Sequence, residues 1–444
     1  MLIEFTVGNF RSFREKATLS LVAAADRKGG GEKSPADLIE TGDKDLRLVP
    51  AAVLYGANAS GKSNLIRAVS FMRRFVIGSV REQDSIGAEP FLFDTSTRNE
   101  PSHFEVVFLL DGEQYRYGFE VSHDAVTREW LYVLPTIREI ELFYRESQTI
   151  ARHTRRFREG KGLEERTRPN ALYLSVCAQF NGEVATRVLR WFRSLLHMNH
   201  ERSQLLTSRR IGQWFQSATS ALQRDIEQFV QKLDVSIASI SVVETTRQLR
   251  RSDGTMREIT VPVLHSHHEV RDAEGRIVDR KDFPIEDIES EGTQKLIYLS
   301  APLFNVLEHG QTLLVDELDA QLHPNMTCAI VQLFQSKRTN PHGAQLVFAT
   351  HDSNLLDPKL FRRDQIWFTE KDRAAGTRLY SLAEFRRTDN EKVRPDAAFE
   401  RDYLTGRYGA VPYLGDLSAV VERLLNESDG TDEAPRVDHA AAAR

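Results

Sequence analysis

Two cysteines, Cys177 and Cys328, stand in 444 residues. That is too few for a disulfide framework and suits a reducing, cytoplasmic setting. No apolar run approaches the ~20 residues that a membrane-spanning helix needs, so no membrane contact is expected. No charge of one sign dominates: 59 Lys and Arg against 64 Asp and Glu give a net charge of -5. This excludes an overall basic nucleic-acid-binding protein and leaves only local basic patches open. No internal repeat and no sustained heptad pattern appears, which excludes a solenoid and an extended coiled coil. What is present, 41% hydrophobic and 28% charged residues, describes a globular chain. Its length suggests roughly two or three domains.

Met1 to Val7 alternate apolar and polar residues and predict a strand rather than a signal peptide. Residues 1–24 read as edge strands around a turn at Gly8-Asn9, and 26–46, rich in Gly, Lys and Asp, as a mobile loop. A strand over 48–55 leads into a helix from Ser63 to about Phe75, with Leu65, Ile66, Val69 and Met72 at helical spacing. Phe104, Val106 and Phe108 alternate, as do Tyr115, Tyr117 and Phe119 across Asp111-Gly112, which predicts a hairpin. Val184, Val188, Trp191, Phe192 and Leu195 fall on one helical face; Leu222, Ile226, Phe229, Val230 and Leu233 repeat that spacing. Residues 236–270 read as β structure turning at Asp253-Gly254. A helix from Gly292 to about Leu307, a break at Gly310, strand 312–315, helix 323–335, strand 345–350 and a short strand 365–368 follow. That alternation predicts a parallel sheet covered by helices. The tail 426–444 reads as disordered.

Gly56-Ala57-Asn58-Ala59-Ser60-Gly61-Lys62-Ser63 fits G-x-x-x-x-G-K-[ST] between a predicted strand and helix. A phosphate-binding loop needs that setting. Its glycines let backbone N–H groups wrap phosphates, and the following helix aims its positive end at them. Lys62 would neutralise the β- and γ-phosphates, and the Ser63 hydroxyl would ligate Mg²⁺. Leu313-Leu314-Val315-Asp316-Glu317 is an apolar strand ending in two carboxylates. Asp316 is placed to hold Mg²⁺, and Glu317 to orient or deprotonate an attacking water. Thr350-His351-Asp352 ends the next apolar strand, where His351 would either contact the γ-phosphate or the water, or serve as a core or capping histidine. Ser290-Glu291-Gly292-Thr293-Gln294 opens a helix, either as an anion site or as an ordinary N-cap.

Together with Leu318-Asp319 and Leu322-His323-Pro324, these segments resemble the ABC-type ATPases of the SMC/RecF/OLD group. That resemblance implies an α/β fold, an ABC-type P-loop NTPase with a mixed β-sheet flanked by helices. A compact α+β insert would interrupt it between the phosphate loop (Walker A) and the signature motif. It makes Ser290 to Gln294 the signature, Asp316-Glu317 the Walker B pair, Leu318-Asp319 the D-loop and His351 the switch histidine. Lys62, Glu317 and His351 would be catalytic; residues 56–63, Asn64, Ser290, Glu291, Gly292 and Asp319 would bind ATP; Ser63 and Asp316 would hold Mg²⁺. The signature carries Glu-Gly-Thr where transporter and SMC patterns carry a Gly-Gly pair, and Gln83 and Gln114 are the candidates for a Q-loop glutamine.

The opening Gly8-Asn9-Phe10-Arg11-Ser12-Phe13 and the late Gly406-Arg407-Tyr408-Gly409-Ala410-Val411-Pro412 look like the AAA-type ATPases of prokaryotic anti-phage loci. Those include ATPases paired with RloB-like or HNH nuclease partners. The expected organisation is an N-terminal half of the ATPase over 1–150, an insert over 151–285, a C-terminal half over 286–425, and the tail. The expected mechanism is an ATP-sandwich dimer or higher oligomer controlling a separately encoded nuclease. A RecF-like DNA-repair ATPase binding DNA directly, a nucleotide-gated scaffold with incidental turnover, and a transporter ATPase are the alternatives.

Residues 152–168 hold seven basic side chains against three acidic ones, a patch for DNA or a partner, or a solvated loop. His265, His267 and His268 invite a metal hypothesis, but no cysteine or carboxylate nearby completes a set. The stretch after His351 carries no D-x-D pair, so a nuclease centre is expected on another chain.

Overall fold

A computed structural model describes residues 1–25, 34–81, 85–135, 138–150, 154–198, 211–216, 218–233, 236–250, 255–386, 393–394 and 397–412. The turn at Asp253-Gly254, Gln83, Arg152 and the tail 426–444 lie outside them, as does part of the 26–46 loop. The strands in chain order are β1 Leu2–Gly8, β2 Ala17–Ser20, β3 Ile39–Glu40, β4 Arg47–Leu48, β5 Ala51–Tyr55, β6 Ser102–Leu110, β7 Glu113–Val121, β8 Val126–Leu134, β9 Ile140–Glu146 and β10 Thr149–Ile150. They continue with β11 Leu195–Met198, β12 Ser239–Arg250, β13 Met256–Arg271, β14 Ile277–Pro284, β15 Thr312–Val315, β16 Gln345–Ala349, β17 Ile366–Lys371 and β18 Thr377–Ser381. The helices used below are α1 Lys62–Gly78, α2 Tyr173–Gln179, α3 Glu183–Ser194, α4 Ser220–Leu233, α5 Glu291–His309, α6 Pro324–Gln335 and α7 Phe399–Leu404.

Two sheets organise the molecule. A six-stranded mixed sheet runs β11-β15-β16-β5-β17-β18, parallel except for the antiparallel β18 at its edge. A seven-stranded antiparallel sheet runs β10-β9-β8-β7-β6-β1-β2. The apolar runs of β5, β15 and β16 are buried on both faces, as central parallel strands must be. Their side chains divide by the period of two. Ala52 and Leu54, Leu314, and Val347 and Ala349 join α1, α2, α3 and the antiparallel sheet in one core. Val53 and Tyr55, Leu313 and Val315, and Leu346 and Phe348 join α5 and α6 in the other. The layers are therefore antiparallel sheet, helices, mixed sheet, helices. The three-stranded sheet β12-β13-β14 joins α4 and α5 in a third core, through Ile226, Val230, Ile240, Leu264, Ile297 and Tyr298.

Three expectations change. Within the span 26–46 read as a mobile loop, Ile39–Glu40 forms β3 against β4, and Ile39 is buried with Ile3 and Leu48. β1 is not an edge strand: it pairs with β2 on one side and β6 on the other. Leu195, read as the last apolar position of a helix, is the first residue of β11, which extends the mixed sheet beside β15 although it falls inside the span 151–285. The Asp111-Gly112 hairpin forms as expected, with Phe104 opposite Phe119 and Phe108 opposite Tyr115. Gly310 ends α5 in the left-handed conformation, φ 62°. Among the described residues, no helix is long and apolar enough to cross a membrane.

Candidate nucleotide site

In a parallel sheet all the strands end on one side, and that side is where such folds bind ligands. β5 ends there in the phosphate loop, β15 in Asp316-Glu317, and β16, between them, in Thr350-His351. The loop residues 56–63 curl over the start of α1. Gly56 and Gly61 adopt φ 154° and 121°. A Cβ on Gly56 would strike Ser60 and Thr369, and one on Gly61 would strike Thr377. The loop is braced from behind. Ser60 Oγ and Thr369 Oγ1 are 2.6 Å apart, Thr377 Oγ1 donates to Ser60 O at 2.7 Å, and Asn64 Nδ2 donates to Ser12 Oγ at 2.8 Å. Sequence reading missed Thr369, Thr377 and the role of Ser12, because each comes from a different strand or turn. Ala57, Asn58 and Ala59 remain at least partly exposed at the tip, Ala59 in the left-handed region at φ 61°.

Lys62 is 5% exposed, and its ammonium donates to Gly56 O at 2.7 Å and Ala57 O at 3.2 Å. Burial lowers its pKa to about 8, against the pull of Asp316, Glu317 and Asp319. Ser63 Oγ donates to Asp316 Oδ1 at 3.1 Å. A hydroxyl and a carboxylate side by side at the loop are the hard oxygen donors that Mg²⁺ prefers, so these residues fit that ion. Protonated Lys62 attracts phosphate and neutral Lys62 does not. The apparent Kd for Mg-ATP should therefore rise roughly tenfold between pH 7 and pH 9, as the free protein's Lys62 loses its proton. Titrations at the two pH values check this, and equal Kd values would detach Lys62 from the anion.

Glu317 follows Asp316 with φ 52°, a left-handed conformation that turns it away from its neighbour. Lys295 of α5 fixes this turn, its ammonium donating to Glu317 O at 2.6 Å and Ala320 O at 2.8 Å. Burial lowers the Lys295 pKa to about 8. Sequence reading did not single Lys295 out; its place one residue after the Ser290-to-Gln294 motif was the available signal. Asp319 Oδ2 accepts the backbone N–H of His351 at 3.1 Å, so the Asp319 turn and the histidine turn are tied together. The His351 pKa is lowered by burial and then by the Lys62 charge, which keeps the imidazole neutral near pH 7.

Ser290 is an N-cap of α5: its Oγ accepts Thr293 N–H at 3.2 Å. Glu291 Oε2 accepts from Gln321 Nε2 at 2.7 Å, and a Cβ on Gly292 would collide with Gln321 O. Lys62, Ser63, Asp316, Glu317, Asp319 and His351 thus converge, whereas the side chain of Ser290 contacts Thr293, and Glu291 and Gly292 lie against Gln321. Gln114 sits in β7, opposite Leu109 and Leu134.

A sequence profile described as "AAA domain, putative AbiEii toxin, Type IV TA system" matches residues 51–357, which include the phosphate loop, both carboxylates and His351. The chain belongs to this AAA-domain family. No curated protein matches it. Among solved structures it is similar to the SMC head domain from Thermotoga maritima, with 13% identity, 86% of this chain and 98% of that chain covered, and a TM-score of 0.38. It is also similar to an SMC head bound to the C-terminal winged-helix domain of ScpA, with 13% identity, coverage of 86% and 97%, and a TM-score of 0.42. A third is an Smc head domain with an extended coiled coil bound to the C-terminal domain of ScpA derived from Pyrococcus furiosus, with 12% identity, coverage of 86% and 96%, and a TM-score of 0.36.

The remaining constellations have structural partners in part, while Arg155, Arg156, Arg158 and Lys161 of the basic segment are exposed. In the basic segment, Glu159 accepts the N–H groups of Val184 and Ala185 at the start of α3, Arg168 donates to Ser79 O and Val80 O, and Arg166 lies over the Phe180 ring. The three histidines go to separate partners: His265 to Asp282, His267 to Ser241, and His268 to Glu289. Among the described residues, no group of three or more metal-ligating side chains occurs.

Proposed function

We propose that this protein binds Mg-ATP at residues 56–64 and hydrolyses it, and that the cycle acts as a switch on a partner effector. The observation that carries the reading is the 3.1 Å contact of Ser63 Oγ with Asp316 Oδ1, at a loop whose lysine is already oriented and beside a second carboxylate. Bound Mg²⁺ supplies charge neutralisation across the β- and γ-phosphates. Lys62 holds those oxygens, backbone N–H groups of the loop cradle them, and Glu317 holds the attacking water and takes its proton. Neutral His351, fixed through Asp319, orients that water or the γ-phosphate. Phosphate release in the presence of Mg²⁺, abolished by EDTA and restored by added Mg²⁺, is expected. Turnover that ignores EDTA would remove Ser63 and Asp316 from their roles.

The switch reading comes from Ser290 to Gly292. Their helix start faces Gln321 of its own chain, and an exposed N-cap is an anion site that a second copy's γ-phosphate would complete. Two chains would then sandwich two ATP molecules and separate after hydrolysis. A role in bacterial anti-phage defence, with a separately encoded nuclease as the effector, rests on the resemblance of the Gly8-to-Phe13 and Gly406-to-Pro412 segments; the family description itself names a putative AbiEii toxin and a type IV TA system. The cytoplasm is the compartment that this role requires. The proposed division keeps 1–150 and 286–425 as the ATPase halves around 151–285.

A further inference from the structure

The motif Gly406 to Pro412 takes no part in the site above. It follows α7, and the two together form a cap over the sheet ends that carry the site. Tyr403 of α7 packs its ring 5.7 Å from Tyr55 and 5.6 Å from Phe368, nearly parallel to the latter at 22°. Tyr55 is the last residue of β5 and directly precedes Gly56. The phenol O–H of Tyr403 donates to Ala410 O at 3.3 Å, which ties this ring to the turn that follows α7. At the other end of the cap, Glu400 Oε1 accepts from Ser353 Oγ at 3.1 Å, two residues beyond His351.

The turn after α7 fixes both contacts. Tyr380 O–H donates to Tyr408 O at 2.7 Å, and Asp402 receives Arg407 at 2.9 Å and Tyr408 O–H at 3.3 Å. Gly409 has φ 70°, and a Cβ there would come within 2.9 Å of Tyr380 Oη and 3.2 Å of the Glu370 carboxylate. The glycine is required by this close approach, and it seats the turn on β17 and β18. The cap therefore spans from the phosphate loop to the histidine turn on a rigid base.

We propose that this cap is a positioning device for the nucleotide site: Tyr403 sets the entry of the phosphate loop and Glu400 sets the turn that carries His351. Tyr403 and Glu400 are positioning residues, and the proposal rests on the ATPase reading above. The two contacts act on different steps. The loop entry governs how the N–H cradle meets the phosphates, which is affinity. The histidine turn governs alignment in the reacting complex, which is turnover.

Tyr403→Phe keeps the ring packing on Tyr55 and Phe368 and removes the O–H that donates to Ala410 O. Loss of this bond loosens the seat of the ring beside the loop entry and should raise the Kd for Mg-ATP about fivefold, with kcat within about twofold of wild type. Glu400→Ala and Ser353→Ala should each lower kcat about fivefold at unchanged KM, and the double variant should be no worse than either single one. If the wild type itself neither binds nor hydrolyses Mg-ATP, the ATPase reading fails and takes the cap proposal with it. If the wild type turns over ATP and the variants keep its Kd, KM and kcat, the cap proposal alone is overturned. A fall in Tm with Kd and kcat lost together in every variant makes the cap a packing element and also overturns it.

Discussion

Lys62→Ala is expected to abolish Mg-ATP binding while leaving the ligand-free protein at least as stable as wild type. The first part follows from where the charge sits. The ammonium is bonded by the carbonyls of Gly56 and Ala57, so it is already aimed into the loop before any phosphate arrives. Charge-assisted contacts to two phosphate groups in a partly dry site are worth about 3 kcal/mol or more, which is roughly two orders of magnitude in Kd. The second part follows from burial. Lys62 is 5% exposed and its pKa is lowered to about 8, so the folded protein bears a cost for holding that charge. Alanine removes the cost together with the function. Thermal melts with and without Mg-ATP separate the two parts. Wild type should shift upward with nucleotide through mass action, and the variant should not shift at all. A variant that still shifts like wild type would mean that the loop binds phosphate through its N–H groups alone. A variant whose ligand-free Tm collapses would mean that Lys62 is a structural tie between the loop carbonyls.

The local half of this site was legible because its pattern is local. Five apolar residues followed by Gly56 and a helical spacing after Lys62 specify strand, loop and helix without reference to the rest of the chain. The same holds for β15 running into Asp316-Glu317 and β16 into His351. What the sequence concealed lies in pairings between distant segments. β1 looked like an edge because its alternation says nothing of β6, which pairs with it from about a hundred residues away. β11 is four residues long and continues a helical apolar pattern through Leu195, so only its partner β15 makes it a strand. Lys295 reads as one more lysine on a helix until the Glu317 turn is folded against it. Tyr403 is in the same position: its meaning depends on Tyr55 and Phe368, which arrive from two other strands. Tertiary contact decides such cases, and no period in the sequence carries it.

Glu317→Gln should separate binding from chemistry. Glutamine fills the same space and can still accept a hydrogen bond from water, but it cannot take the proton, a contribution of about 10² to 10⁴ in rate for a positioned general base. The backbone should not change, because the turn is held through the Glu317 carbonyl by Lys295 rather than through the carboxylate. The left-handed φ of 52° is a cost already met by that turn and is the same for either side chain. ATP affinity should therefore stay near wild type while phosphate release falls at least a hundredfold. With hydrolysis blocked, γ-phosphate persists in the loop and the proposed contact with a second copy's Ser290 helix has no route to open. Light scattering of Glu317→Gln with and without Mg-ATP reads this directly. A mass increase on adding Mg-ATP is the expected result and would identify the species in which a partner should be sought. A constant monomer mass would sink the sandwich and leave Ser290 as an ordinary cap of α5. A constant oligomer mass would move the switch from assembly to rearrangement within it. Equal phosphate release by variant and wild type would strip Glu317 of its role and turn attention to His351, which is tied to the same turn through Asp319.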